Sequence, residues 1–149
     1  MGSEVLLDTN VLSELMRPRP DNQVVDWFGQ QASTDYFISA ITQAEILLGI
    51  ALLPDGKRRN ELADVARQMF VQEFADRCLP YDAKAAEIYA EVVASRIRMG
   101  QPISTEDAQI SAVALSHRFP LATRNVKDFS GINGLILINP WAAPEAASL

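Results

Sequence analysis

With 149 residues, 48% of them hydrophobic and 21% charged, the chain has the composition of one globular domain with a sizeable core. Nineteen acidic against 13 basic residues leave a net charge of −6, which argues against broad, backbone-driven nucleic-acid binding but not against an enzyme that meets a polyanion through bound cations. The single Cys78 excludes an internal disulfide, one histidine beside it argues against a Cys/His zinc site, and neither a run of ~20 apolar residues nor a basic-then-apolar leader is present, so no membrane association and a cytoplasmic location are expected.

The chain opens on Glu4-Val5-Leu6-Leu7-Asp8-Thr9-Asn10, a short apolar run that reads as a buried strand and stops at a carboxylate. Ligands of open α/β sheets sit beyond the carboxyl ends of the strands, so Asp8 stands where chemistry is usually done. An unpaired buried carboxylate is costly, and a cation is its natural partner. Helical spacing in Val11-Leu12-Ser13-Glu14-Leu15-Met16 is broken by Pro18 and Pro20. A second helix is predicted over 22–31, burying Val24, Val25, Trp27 and Phe28, before a strand at Tyr36-Phe37-Ile38-Ser39. Thr42-Gln43-Ala44-Glu45 opens the apolar helical run 46–53, and Pro54-Asp55-Gly56 is a turn. Leu62, Val65, Ala66, Met69, Phe70 and Phe74 fall on one face of the clearest helix. Leu79-Pro80-Tyr81 reads as a break. Asp82 then caps a helix with the stripe Ala85, Tyr89, Val92, Val93 and Ile97, stopped by Gly100. Residues 102–105 lead into a helix carrying Glu106, Asp107, Ile110, Val113, Ala114 and Leu115, which Pro120 ends. Leu121-Ala122-Thr123 and Leu135-Ile136-Leu137-Ile138 read as two closing strands. This alternation predicts a mostly parallel sheet flanked by helices, an α/β sandwich over residues 1–149 as a single domain, with an alanine-rich tail after Trp141.

Three acids share a placement: Asp8 after the first strand, Glu45 after the second, and Asp107 at the start of a late helix, all expected at strand-to-helix junctions along one sheet edge. Oxygen donors of this kind suit Mg²⁺ or Mn²⁺. Each acid also has a purely structural reading. Thr42-x-x-Glu45 fits a capping box, Ser104-x-x-Asp107 a weaker one at the positive end of a helix, and Asp8 an N-cap or Asx turn. Thr9 and Asn10 either hold a metal ligand in place or only cap the next helix, and Ser39 and Thr42 divide the same way. In Thr123-Arg124-Asn125-Val126-Lys127-Asp128-Phe129, Asn125 could close a metal site through its amide oxygen, Asp128 could cap a turn, and Arg124 and Lys127 could touch a phosphate backbone or be plain surface charge. Arg17 and Arg19 are better placed for substrate contact than Lys57-Arg58-Arg59, read as a solvated helix start. His117 reads as a partner of a helix C-terminus rather than a base.

These residues resemble a family. Val5-Leu6-Leu7-Asp8-Thr9-Asn10-Val11-Leu12-Ser13-Glu14-Leu15 is similar to the opening of PIN-domain proteins of the VapC type, and Ser39-Ala40-Ile41-Thr42-Gln43-Ala44-Glu45 with Gly49 resembles their second motif. Asp107-Ala108-Gln109-Ile110-Ser111-Ala112 resembles the third, Ala122-Thr123-Arg124-Asn125-Val126-Lys127-Asp128-Phe129 the fourth, and Ile138-Asn139-Pro140-Trp141 the ending of the Fit-type branch. The resemblance implies a PIN-like three-layer sandwich and a Mg²⁺- or Mn²⁺-dependent endoribonuclease, the toxin of a type II toxin–antitoxin pair, cleaving RNA phosphodiesters with a metal-activated water. It places the catalytic set on Asp8, Glu45, Asp107 and Asn125, with Asp8, Glu45 and Asp107 as metal ligands. Thr9, Asn10, Thr42, Thr123, Arg124 and Asp128 are supporting or substrate-facing candidates. The fourth acidic position of many members is Asn125 here, which leaves one metal against two open. A homodimer, a small antitoxin covering the pocket, and operator DNA bound through that antitoxin are implied as partners. Two other readings stay open: a haloacid-dehalogenase-like phosphatase, whose second acid would stand where Asn10 is, and a non-catalytic PIN-fold interaction module.

Overall fold

Strand β1 (Ser3–Leu7) lies in the middle of the sheet, and its side chains explain why. Leu6 packs on one face, against Val92, Ile110, Val113 and Phe129, while Val5 and Leu7 pack on the other, against Val11, Leu12, Ile38 and Ile46. A strand buried on both faces is the continuous apolar run that a parallel sheet requires. Each fully buried leucine contributes about 2 kcal/mol.

The computed structural model describes residues 3–30 and 33–142. After β1 come α1 (Thr9–Leu15), α2 (Asn22–Gly29), β2 (Thr34–Ser39), α3 (Ala40–Ala51) and α4 (Lys57–Gln68), which runs into a π-helical turn at Met69–Glu73. Then follow β3 (Cys78–Leu79), α5 (Ala83–Arg98), α6 (Thr105–His117), β4 (Leu121–Ala122), α7 (Val126–Phe129) and β5 (Leu137–Ile138). The five strands pair in parallel in the order β3-β2-β1-β4-β5. Residues of α5, α6 and α7 cover one face, and residues of α1, α3 and α4 cover the other. The three-layer α/β expectation holds.

The order matters for function. From β1 the chain moves outward to β2 and β3 on one side, then returns to β4 and β5 on the other. The carboxyl end of β1 is therefore the point where the winding reverses, and parallel sheets open a crevice there.

Local departures from the sequence reading have physical causes. The predicted break at residues 79–81 begins inside β3, whose two residues pair with Ile38 and Ser39 of β2. Two residues carry too little pattern to reveal a strand. Val25 and Ile97, expected in the core, are 47% and 64% exposed. Val24 takes the inward position on its helix, and Val92 with Ala85 takes it on the other. The stripe from Leu62 to Phe74 is not one regular α-helix. Phe74 N–H reaches back five residues to the Met69 carbonyl at 2.8 Å, and the π turn still delivers Phe74 to the core. The predicted end of α2 at Gln31 and the alanine-rich tail fall outside the described residues, beyond Trp141 and Ala142 in the latter case.

Candidate active site

Asp8 sits at the winding reversal. It is the N-cap of α1, in extended backbone, and its own N–H donates to the Ala122 carbonyl of β4 at 2.8 Å. The side chain is 4% exposed and collects three donors. Thr9 N–H donates to Oδ1 at 2.8 Å, the Thr123 hydroxyl donates to Oδ2 at 2.7 Å, and the Asn10 amide donates to Oδ2 at 3.3 Å. The capping reading of Asp8 is therefore correct and incomplete. One cap bond accounts for one oxygen, whereas the β4 contacts hold the carboxylate at the sheet edge.

The capping box expected at Thr42 is not formed. The N-cap of α3 is Ser39, whose hydroxyl accepts the Thr42 N–H at 3.1 Å, so the helix begins three residues earlier. Thr42 is buried inside the first turn, and its hydroxyl shares a hydrogen bond with the Thr9 hydroxyl at 2.9 Å. Glu45, relieved of capping, instead accepts from the Thr9 hydroxyl through Oε1 at 2.7 Å. Thr9 thus ties Glu45 to the residue next to Asp8.

Asp107 departs from expectation too. Its helix α6 follows α5 through residues 99–104 and not a strand, so only Asp8 stands directly after a strand. Ser104 is the cap of α6 and accepts the Asp107 N–H at 3.2 Å, as its spacing predicts. Asp107 nevertheless lines the same cleft as Asp8, Glu45 and Asn125. The cleft has a volume of about 610 Å³ and a mainly polar lining. Asn125 forms no side-chain cap on α7; its N–H donates to the Thr123 hydroxyl at 3.1 Å.

The electrostatics are those of carboxylates crowded together in a partly buried cleft. Burial pushes the Asp8 carboxyl up to about 6, assisted by the charges of Asp107 and Glu45 and opposed by the bonds from Thr123 and Thr9. Burial also raises Asp107, with Asp128 and Glu106 adding to the effect and Ser104 and Arg96 opposing it. Among the described residues, no group of three or more His, Cys, Asp or Glu side chains is close enough to close around a metal ion. The donor set is still all oxygen. Mg²⁺ and Mn²⁺ keep several waters and accept one or two carboxylates, so these acids suit an open, hydrated ion.

The remaining candidates divide. Thr9, Asn10, Thr42 and Thr123 all hold the acids, Asn10 also by accepting the Arg124 N–H through Oδ1 at 3.2 Å. Arg124 does not face the cleft lining; its guanidinium lies 5.1 Å from the Trp141 ring centroid. Asp128 is exposed and acts on Asp107 through charge, while its carbonyl accepts from Arg96. His117 ends α6, stacked 5.4 Å from Phe119, away from the acids. Arg17 lines the cleft and Arg19 does not.

Sequence reasoning passed over Glu14, Ser13 and Arg96, and read Arg58, which lines the cleft, as part of a solvated helix start. Glu14 is 6% exposed, accepts the Asp21 N–H at 2.9 Å and binds Arg17 at 3.2 Å. The signal was available: Asn10, Ser13, Glu14 and Arg17 recur at three, four and seven residues, a polar helix face where an apolar one was sought. Arg96 is buried and donates to the carbonyls of Gln101, Asp128 and Ser130, at 2.7, 3.1 and 3.4 Å. It clamps the segments on either side of α6 and α7. No local pattern announces a buried arginine whose partners are carbonyls up to 34 residues away.

Known proteins agree with this architecture. The PIN domain family model matches residues 5–135. The chain is 40% identical to Toxin FitB of Neisseria gonorrhoeae over 92% of this chain and 98% of that protein. It is 39% identical to VapC ribonuclease Y4jK of Sinorhizobium fredii over 92% and 97% respectively. Among solved structures, FitAB bound to an IR36 DNA fragment superposes with a TM-score of 0.85 at 38% identity, covering 95% of this chain and 99% of that one. The chain belongs to the PIN-domain family.

Proposed function

We propose that the chain is a divalent-metal-dependent endoribonuclease, the toxin of a toxin–antitoxin pair, acting in the cytoplasm as a single domain. The observation that carries this reading is the convergence of Asp8, Glu45, Asp107 and Asn125, from four separate segments, on one polar cleft at the winding reversal of the sheet. A fold gains nothing by gathering acids whose charges raise the pKa of Asp8; a cation site does. The ribonuclease and toxin names carried by relatives near 40% identity support the substrate class.

Asp8, Glu45 and Asp107 would hold Mg²⁺ or Mn²⁺, one or two of them directly and the rest through the ion's waters. Such an ion, when bound, would acidify water and offset the charge that builds on a phosphodiester during in-line attack. The chain's own residues supply the frame. Thr123 and Thr9 fix the Asp8 oxygens, Thr9 fixes Glu45, and Arg96 holds the segments flanking Asp107. Asn125 brings an amide where a fourth carboxylate would carry charge, so one firmly held ion is the proposed stoichiometry. A small antitoxin would silence the enzyme by covering this cleft, with the pair on operator DNA through the antitoxin and the toxin as a homodimer; the FitAB assembly on DNA supports a complex of that kind.

The test is cleavage of a defined RNA panel with Mg²⁺ or Mn²⁺ and with EDTA, wild type beside Asp8→Asn. Metal-dependent cutting reduced on the order of 10²–10³-fold or more in the variant is expected. Undiminished cutting by Asp8→Asn would remove Asp8 from the mechanism.

A further inference from the structure

We infer that Arg58, together with Arg17, grips the phosphate backbone of the single-stranded RNA entering the cleft, an inference that rests on the nuclease reading above. In the run Lys57-Arg58-Arg59 the neighbours are spoken for. Lys57 Nζ pairs with Glu61 at 3.7 Å, and Arg59 pairs with Asp55. Arg58 has no ion pair among the described residues and lines the acid-bearing cleft. Successive helical residues point about 100° apart, so the ion pairs of Lys57 and Arg59 lie to either side of Arg58 and leave it to the cleft.

The fold does not account for this cation. Arg58 occupies the first turn of α4, where the helix dipole disfavours positive charge. Arg17 is placed by a different device. Its Nη1 donates to both oxygens of Glu14, at 3.2 and 3.3 Å, and Glu14 is itself buried and fixed by the Asp21 N–H. Arg17 Nε and Nη2 make no hydrogen bond among the described residues, and the side chain is 65% exposed at the cleft. One guanidinium is unpaired and the other is pinned with donors to spare.

Guanidinium is the group best matched to phosphate oxygens, and it reads backbone rather than base. A chain of net charge −6 with carboxylates in its cleft repels a polyanion. Two arginines lining that cleft offset the repulsion for backbone phosphates that enter it. They would act on binding and leave the chemical step alone.

The test compares steady-state cleavage by wild type, Arg58→Gln, Arg58→Lys and Arg59→Gln across a salt series in Mn²⁺. Arg58→Gln is expected to raise KM about 5–10-fold with kcat within about twofold, and to reduce the slope of log kcat/KM against log salt by about 0.7, one single-strand phosphate contact. Arg58→Lys should keep the wild-type slope, and Arg59→Gln should change neither quantity. Arg58→Gln with the KM and slope of wild type would overturn the inference while leaving the nuclease reading intact. No metal-dependent cleavage by wild type would overturn both.

Discussion

On one side of the cleft, Asp8, Thr9, Thr42, Glu45 and Thr123 form a continuous chain of hydrogen bonds of 2.7 to 2.9 Å, three between side chains and one from the Thr9 N–H to Asp8, anchored on β1, α3 and the end of β4. On the other side, Asp107 is half-buried with Ser104 as its neighbour, and the Asn125 amide makes no side-chain hydrogen bond among the described residues. The first side is fixed from within by its own hydroxyls. The second is held from behind, by Arg96 and three carbonyls. A hydroxyl-braced acid pair facing a single less tied acid and an amide would fix an ion's position chiefly from the first side. The hydrogen-bonded bracing of the carboxylates is concentrated on the Asp8 side.

The comparison breaks most severely if the brace behind the looser side is removed. Arg96→Met deletes the hydrogen bonds of a buried guanidinium to three carbonyls and should cost about 3 kcal/mol in urea unfolding. It should weaken metal binding with it, whereas equal metal affinity in a folded Arg96→Met would show that Asp107 is positioned by something else.

A second effect belongs to the rigid side. Asp8 holds its proton more tightly in the fold, at about 6, than in the unfolded chain, near 3.8. The native state therefore loses stability as pH rises from about 4 to about 6, and the loss persists above that. In EDTA this group should cost about 2–3 kcal/mol between pH 4 and 7. Urea denaturation across that range should show a steeper fall for wild type than for Asp8→Asn, and adding Mn²⁺ at pH 7 should restore the difference. Parallel curves for the two proteins would contradict the assignment of Asp8 as the strained acid.

The smallest expected change sharpens the looser side. Asn125→Asp restores a carboxylate and should tighten Mn²⁺ about three- to tenfold, about 1 kcal/mol, by adding ligand charge. Calorimetry would also reveal a second binding event if the missing charge alone had prevented one.

Much of this was legible in the sequence because the relevant signals are local. The run 4–10, Asp82 before its helix and the Ala85–Val92 stripe each announce an element within a few residues. Asp8, Glu45 and Asp107 could be named as candidates, yet Asp107 was placed for the wrong reason, and the rival capping-box reading of Glu45 began at the wrong residue. Ser39 rather than Thr42 starts α3, and a helix rather than a strand precedes Asp107. Capping boxes at neighbouring positions read alike until the backbone shows which one turns. Arg96 stayed hidden because two of its partners lie 32 and 34 residues away, and Glu14 and Arg58 because charge on a helix is ordinarily solvent-facing. What failed in the reading was tertiary pairing and the shortest elements, β3 and α7.

The most direct measurement of the central claim is Mn²⁺ titration calorimetry on wild type, Asp8→Asn, Glu45→Gln and Asp107→Asn at pH 7.5. If the three acids form one cation site, wild type binds Mn²⁺, Asp8→Asn loses measurable binding, and the other two weaken it. Binding that survives unchanged in Asp8→Asn, or none in wild type, would contradict a shared site and with it the proposed chemistry.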